Sequence, residues 1–116
     1  MLLTACYPTA DASNHFPVVS SVEIKDPISF SDCMMDGLNP MQSWEFNRRT
    51  VQRFVRDSGI RIDTAAASGF IQLTQTDISN DGIAQIRVAR DGRAALTPRT
   101  REISVFESCA SRLRRV

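Results

Sequence analysis

The stretch that decides the fold is residues 60–91, which read IRIDTAAASGFIQLTQTDISNDGIAQIRVARD. Polar and apolar side chains alternate in three parts of it, 60–64, 70–78 and 84–89. A period of two places alternate side chains on opposite faces of a β-strand. Ser68-Gly69 and Asn80-Asp81-Gly82 supply turn residues between the parts. The stretch therefore predicts a three-stranded antiparallel meander with one polar and one apolar face.

Residues 41–58, which precede the meander, fit two interpretations. The spacing of apolar side chains from Trp44 to Val55 is typical of a helix. Residues 50–56, however, are rich in β-forming side chains and lead through a turn at 57–59 directly into the meander, which is typical of a hairpin. We favour the strand for residues 50–56, and this strand would be the fourth of the sheet.

Two amphipathic segments flank the strands. The first is capped by Asp26 or by Ser29 and Ser31 and ends at Asn39-Pro40, and the second begins with Thr97 as its N-cap and Pro98 at its first helical position. Their apolar stripes are Phe30, Cys33, Met34 and Leu38 in the first, and Ile103, Phe106, Ala110 and Leu113 in the second, with Cys109 at the edge. Because a sheet with one apolar face needs a cover, we expect an α+β fold. It is a small two-layer sandwich, in which an N-terminal and a C-terminal helix cover a meander of three to four strands.

Residues 3–6, Leu-Thr-Ala-Cys, resemble the lipobox of bacterial lipoproteins. In that family the cysteine thiol is acylated and becomes the new N-terminus, so the resemblance implies lipidation of Cys6. Residues 1–5 are then the remainder of a truncated signal peptide. The resemblance also implies a protein anchored in the outer membrane and facing the periplasm, because Tyr7 rather than an aspartate follows the cysteine.

Residues 6–28 carry several prolines among polar side chains and few apolar ones. Such a stretch buries too little to offset its ordering entropy, so it predicts a flexible tether, in which residues 18–24 could add an edge strand. The single folded domain then spans residues 29–116.

The cysteines fall into two groups. Cys33 and Cys109 lie in the two predicted helices that should pack on the same sheet face, so a disulfide between them is geometrically reasonable. Export would favour its formation, and lipidation would use Cys6, the remaining cysteine. The alternative is a cytosolic protein in which Cys33 and Cys109 are free buried thiols.

Composition argues against several function classes. The net charge of +1 gives no field that would attract nucleic acid. Cys33, Cys109 and His15 are too far apart in sequence to form a metal site of the usual spacing. His15 is also the only histidine, and it lies in the tether, where nothing would hold it beside a nucleophile. The glycines occur singly, so no phosphate-binding loop is present. We therefore expect no enzymatic activity, no metal and no cofactor.

A cluster of arginines near Trp44 is the candidate partner-binding surface. Its members are Arg48, Arg49, Arg53 and Arg56. Arginine and tryptophan are typical of interfaces with acidic partners, although a solvated face gives the same pattern. The sequence thus predicts a cell-envelope lipoprotein that acts as a non-enzymatic structural or interaction module. Its partners would be the membrane, through Cys6, and another envelope protein. The alternative is a small cytosolic adaptor with free cysteines.

Overall fold

The computed structural model describes residues 15–116. Five strands in this range form one antiparallel β-sheet, and three helices accompany it. The strands are β1 (Val18–Glu23), β2 (Thr50–Arg56), β3 (Gly59–Ala66), β4 (Ile71–Ser79) and β5 (Ile83–Val88). The helices are α1 (Pro27–Leu38), α2 (Gly92–Leu96) and α3 (Thr100–Leu113). Short 3₁₀ turns occupy Asn39–Ser43 and Ala67–Gly69. The α+β class predicted from the sequence is confirmed.

The strands lie in the order β1-β5-β4-β3-β2, and every neighbouring pair is antiparallel. The meander is confirmed, and so is the strand interpretation of residues 50–56. The meander has four strands, β2 to β5, which agrees with the predicted three to four, and β1 pairs with β5 and makes the sheet five-stranded. Val18, Val19 and Val22 are enough for this edge strand because its backbone bonds are made with a strand already held in the sheet.

The boundary between tether and domain also needs correction. Residues 18–28, assigned to a flexible tether, contain β1 and the beginning of α1. Ile24 between them is fully buried, and its N–H donates to the Gly82 carbonyl at 2.8 Å. The ordered domain therefore begins before residue 29, because the valines and Ile24 find partners on β5 and in the turn before it.

Helix α1 begins as predicted at Asp26. The Asp26 carboxylate accepts hydrogen bonds from the backbone N–H groups of Ile28 and Ser29 at 3.0 and 3.4 Å, and from the Ser29 hydroxyl at 2.8 Å. These bonds favour the charged form, so they lower the pKa of Asp26, with the Ser29 hydroxyl as the largest cause. The buried face of the helix carries Phe30, Met34 and Leu38, as the stripe predicts.

Helix α3 begins later than its Thr97-Pro98 signal predicts. The Thr97 N–H donates to the Ala94 carbonyl and its hydroxyl donates to the Arg93 carbonyl, both at 3.1 Å. Thr97 thus closes the short helix α2, which the sequence did not predict, and α3 starts at Thr100. The buried residues of α3 are Glu102, Val105, Phe106 and Cys109. Of the predicted stripe Ile103, Phe106, Ala110 and Leu113, only Phe106 is therefore among them.

The main core lies between the sheet and the helices α1 and α3. Phe30 of α1 and Phe106 of α3 meet edge to face, with ring centroids 5.4 Å apart. They pack with sheet residues that include Ile62, Ile78 and Ile86. A smaller cluster beside α2 is formed by Leu73, Ala89 and Ala94 with Phe16, Ile71 and Ala66.

The residues that alternate with this core along β3, β4 and β5 include charged side chains, in addition to the smaller apolar cluster. Arg61 Nε lies 2.8 Å from Asp63 Oδ1, and Arg87 Nε lies 3.5 Å from Asp77 Oδ2. The hydrogen bond to Asp63 raises the pKa of Arg61 above its ordinary value.

The predicted division into a polar and an apolar face is wrong in part. The face opposite the main core also buries Leu73 and partly buries Ile71. The core face of β4 includes the buried Thr74 and Thr76.

Candidate functional site

Three loops and the segment that precedes β1 lie at one end of the sheet. At this end β2 and β4 begin and β3 and β5 finish, so it carries the segments 44–49, 67–70 and 89–99. We call it the loop end. Residues 15–17 enter the domain here, because the carbonyls of His15 and Pro17 accept hydrogen bonds at 3.1 Å from the N–H groups of Arg90 and Val88. His15 also pairs with Asp91.

A buried ion pair fixes these loops to α3. Arg49 Nε lies 2.6 Å from Glu102 Oε2, and the two side chains are 2% and 1% exposed. The same guanidinium donates to the Pro98 carbonyl at 2.6 Å and to the Asn47 carbonyl. Arg49 therefore connects the loop before β2, the segment before α3 and α3 itself.

Two threonines of the sheet extend this network. The Thr64 hydroxyl lies 3.3 Å from Glu102 Oε2 and 2.6 Å from the Thr74 hydroxyl. Glu102 Oε1 is buried and has no hydrogen-bond partner within residues 15–116. The Glu102 carboxylate thus lies in the core beneath the loop end, in a hydrogen-bond network with side chains from two strands and one loop.

The backbone of the loop end is strained. In the part of the chain that the structure describes, three residues other than glycine have a left-handed backbone, namely Asn47, Ala67 and Ser68, with φ between 54° and 57°. This conformation costs an ordinary L-residue about 1–2 kcal/mol, although asparagine tolerates it better. Such strain persists only where the surrounding structure imposes it, and it concentrates at functional positions. All three residues lie in loops of the loop end.

Each of the three loops also exposes one large apolar side chain. Phe46 is 81% exposed, Phe70 is 90% exposed and Leu96 is 85% exposed. Apart from the terminal Val116, no other large apolar side chain in the described range is as exposed. Apolar surface that is grouped in this way is typical of a contact site.

The exposed charges around these apolar side chains are mainly positive. Arg48, Arg90 and Arg93 are exposed, while the exposed acids of the same loops are Glu45 and Asp91, the second of which pairs with His15. A shallow cavity of about 460 Å³ lies beside Phe70, and its lining also includes Phe16, Ile71 and Ala94. The loop end therefore presents aromatic and aliphatic groups beside guanidinium groups.

The predicted arginine cluster does not form one surface. Arg49 is buried, and its donors are used within the chain, so it is not available to a partner. Arg53 lies on the same side of β2 and donates to the Asp32 carboxylate at 3.0 Å and the Ser31 hydroxyl at 3.1 Å, both on α1. Positions four apart on a strand share a face, and here that face is turned toward the helices.

The other members of the cluster lie far apart. Arg48 is at the loop end, where its Nε donates to the Trp44 carbonyl at 2.9 Å, and Trp44 itself packs against the main core. Arg56 is at the opposite end, with its guanidinium 5.7 Å from the Phe54 ring centroid. A strand of seven residues spans about 23 Å, so neighbours in the sequence are separated in space.

Cys33 and Cys109 are brought together as the sequence predicts. Their Sγ atoms lie 2.10 Å apart and their Cα atoms 6.0 Å apart, which joins α1 to α3. The Arg112 guanidinium lies 2.7 Å from Cys33 Sγ. The predicted lipidation site Cys6, with the rest of residues 3–6, lies outside the described residues.

Residues 15–116 contain no group of three or more His, Cys, Asp or Glu side chains that could hold a metal ion. None of the helices in this range is long and apolar enough to cross a membrane.

No protein-family model, curated protein or solved structure matches this chain. The interpretation of its function therefore depends on its own residues.

The sequence reasoning missed Glu102, Phe70 and Leu96. Glu102 occupies the first turn of a helix, where an acid is favourable for the helix dipole alone. Its spacing of seven from Cys109 was the signal that it shares the buried face. Phe70 and Leu96 have no comparable signal, because an apolar residue beside a turn is ordinarily read as the start or end of a packed element.

Proposed function

We propose that this chain is a lipid-anchored cell-envelope protein whose domain is a non-enzymatic interaction module. Cys6 carries the lipid, and the loop end makes the contacts. The observation that carries the proposal is the pairing of Cys33 with Cys109. Disulfides persist in oxidising compartments such as the periplasm. This pairing accounts for two of the three cysteines, and the third stands in the lipobox-like sequence.

An interaction module is favoured by the way in which the loop end distributes its groups. The charged groups with precise partners, Arg49 and Glu102, are buried and bonded within the chain. The groups that reach solvent are apolar side chains and arginines. These groups bind a partner through buried apolar area and salt bridges, and they are not the acids and bases that catalyse proton transfer. The hydrogen bonds from Arg49 to the carbonyls of Asn47 and Pro98 hold two of these loops, and a surface that is already formed loses less entropy when a partner is bound.

The anchor is tested in the source bacterium with the chromosomal gene, its upstream region and a C-terminal tag. We expect the intact mass of the product to include acyl chains on Cys6, and we expect the protein to remain with the membrane fraction. Cys6→Ser should abolish both. Cys33→Ala/Cys109→Ala keeps the lipobox-like sequence and should still be acylated, which controls for general effects of losing cysteines. Membrane fractionation of Cys6→Ser that matches the native chain would exclude the anchor.

The same cells distinguish the cytosolic alternative. Rapid alkylation during lysis labels free thiols and leaves a disulfide unlabelled. Under the proposal, Cys33 and Cys109 are protected until a reductant is added. Labelling of both residues without a reductant would instead support a small adaptor in a reducing compartment.

A further inference from the structure

We propose that the loop end lies against the bilayer that holds the Cys6 anchor, so that Phe46, Phe70 and Leu96 enter the headgroup region. This inference rests on the lipid anchor proposed above. It adds a defined orientation of the domain and names the occupant of its apolar surface, which is an anionic lipid surface.

The first argument is reach. Nine residue steps separate Cys6 from His15, where the chain enters the loop end. Even a fully extended chain of this length spans only about 30 Å. The strands run away from this end toward the opposite one, and the domain extends 36 Å along its longest axes. An anchor at Cys6 therefore holds the loop end within about 30 Å of the bilayer, whereas the opposite end could approach the bilayer only if the connection were almost fully extended.

The second argument is the chemistry of the exposed side chains. In amphipathic helices that lie on a membrane, phenylalanine and leucine enter the boundary between headgroups and acyl chains to a depth of about 5–10 Å, and exposed loops can present the same side chains. Each of the three loops presents one such side chain, all more than 80% exposed. Because the three come from separate loops at one end of a sheet, they can meet a surface together.

The third argument is charge. Arg48, Arg90 and Arg93 are exposed beside these apolar side chains. Arginine binds phosphate groups through two parallel hydrogen bonds, and anionic lipids attract basic residues near a membrane surface. The exposed acids of these loops are Glu45 and Asp91, fewer than the exposed arginines, and Asp91 contacts His15.

The fourth argument is that the loops are held in place before contact. The Arg49–Glu102 pair joins two of them to α3, and the left-handed residues Asn47, Ala67 and Ser68 lie directly beside Phe46 and Phe70. A surface that is already formed loses less entropy when it meets the membrane.

The test couples the whole chain to vesicles through the Cys6 thiol, with Cys33 and Cys109 kept as the disulfide. The vesicles contain phosphatidylcholine, phosphatidylglycerol and a maleimide derivative of phosphatidylethanolamine, so the attachment does not depend on acylation in a cell. Trp44, the only tryptophan, is replaced by phenylalanine. A reporter is then introduced as Phe70→Trp at the loop end or as Val55→Trp at the opposite end.

Val55 is the matched control because it is also an exposed apolar residue, at 74%, but it lies near the far end of β2. With brominated acyl chains in the vesicles, we expect Phe70→Trp to lose most of its fluorescence and to shift to shorter wavelength. Val55→Trp should keep its fluorescence. Equal quenching of the two reporters, or no quenching of Phe70→Trp, would overturn the proposed orientation.

Charge is tested in the same assay. Arg48→Glu/Arg93→Glu should weaken the quenching of Phe70→Trp, as should vesicles of phosphatidylcholine without phosphatidylglycerol. If the loop end instead binds a protein, Phe70→Trp remains unquenched on coupled vesicles, and the inference fails. The lipid anchor fails separately, if the cellular product is not acylated.

Discussion

Removing one partner of the buried ion pair should destabilise the domain severely. Glu102→Ala leaves the Arg49 guanidinium in the core with two carbonyl partners but no countercharge. Because both side chains are at most 2% exposed, no discount for solvent screening applies. Breaking such a pair costs about 3–5 kcal/mol, which is a large part of the roughly 5–15 kcal/mol that stabilises a domain of this kind.

The matched control is the exposed pair between Asp32 and Arg53. Its side chains are 63% and 39% exposed, with a separation of 3.0 Å. An exposed pair contributes about 0–1 kcal/mol, so Asp32→Ala should leave the free energy of unfolding nearly unchanged. Urea titration followed by Trp44 fluorescence and far-ultraviolet circular dichroism gives this free energy for both variants.

The double variant Arg49→Met/Glu102→Leu shows whether the loss of stability in Glu102→Ala comes from the missing ion pair or from the unpaired charge left in the core. Replacing both partners with apolar side chains of similar size is often neutral or stabilising, so most of the loss in Glu102→Ala should be recovered. If Glu102→Ala lowers the free energy of unfolding by no more than Asp32→Ala does, the argument that burial makes the Arg49–Glu102 pair essential is refuted.

Three further predictions concern the helices. Cys33→Ala/Cys109→Ala should lower the free energy of unfolding by about 4 kcal/mol, because the bond closes a long loop in the unfolded chain; urea titration with and without a reductant measures it. Because the pKa of Asp26 is lowered in the folded protein, its carboxylate stabilises the fold above the ordinary aspartate pKa, and this stabilisation is lost as the pH falls through the lower folded value. The urea midpoint of Asp26→Asn should therefore decline less than that of the native chain between about pH 5 and pH 2. Gly37→Ala would place a Cβ 2.6 Å from Val105 Cγ1, and this overpacking should cost about 1–3 kcal/mol, measured as a lower melting temperature, although alanine is the better helix former.

The central strands β3 and β5 could be predicted because polar and apolar side chains alternate along each of them. Arg61 and Asp63 against Ile62, and Gln85 and Arg87 against Ile86, set this period of two within single segments. The edge strand β1 was only a secondary possibility in the sequence. Its short apolar set becomes a strand because β5 offers a free edge, and that is a property of the assembled sheet.

The buried ion pair could not be predicted in the same way. Arg49 and Glu102 are 53 positions apart, and the arginine looks like one member of a surface cluster. Which side of β2 faces the helices, and which face of α3 is buried, must both be known before the two residues can be matched. The sequence predicts Ile103, Phe106, Ala110 and Leu113 as the buried stripe of α3, whereas the buried residues are Glu102, Val105, Phe106 and Cys109, so the error in the buried face hides the pair.

The ion pair and the exposed loops are best understood together. An apolar pair would hold α3 to the sheet at least as well, but it would not donate to the carbonyls of Pro98 and Asn47, as the Arg49 guanidinium does. The charge therefore serves the position of the loops more than the stability of the core. On this reasoning Arg49→Met/Glu102→Leu should remain folded with nearly native stability, and yet quenching of a Phe70→Trp reporter on coupled vesicles should become weaker because the loops are no longer held. If quenching in this variant matches that of Phe70→Trp with Arg49 and Glu102 intact, Arg49 has no role in positioning the loop end. The conformation of the loops then depends on the left-handed residues alone.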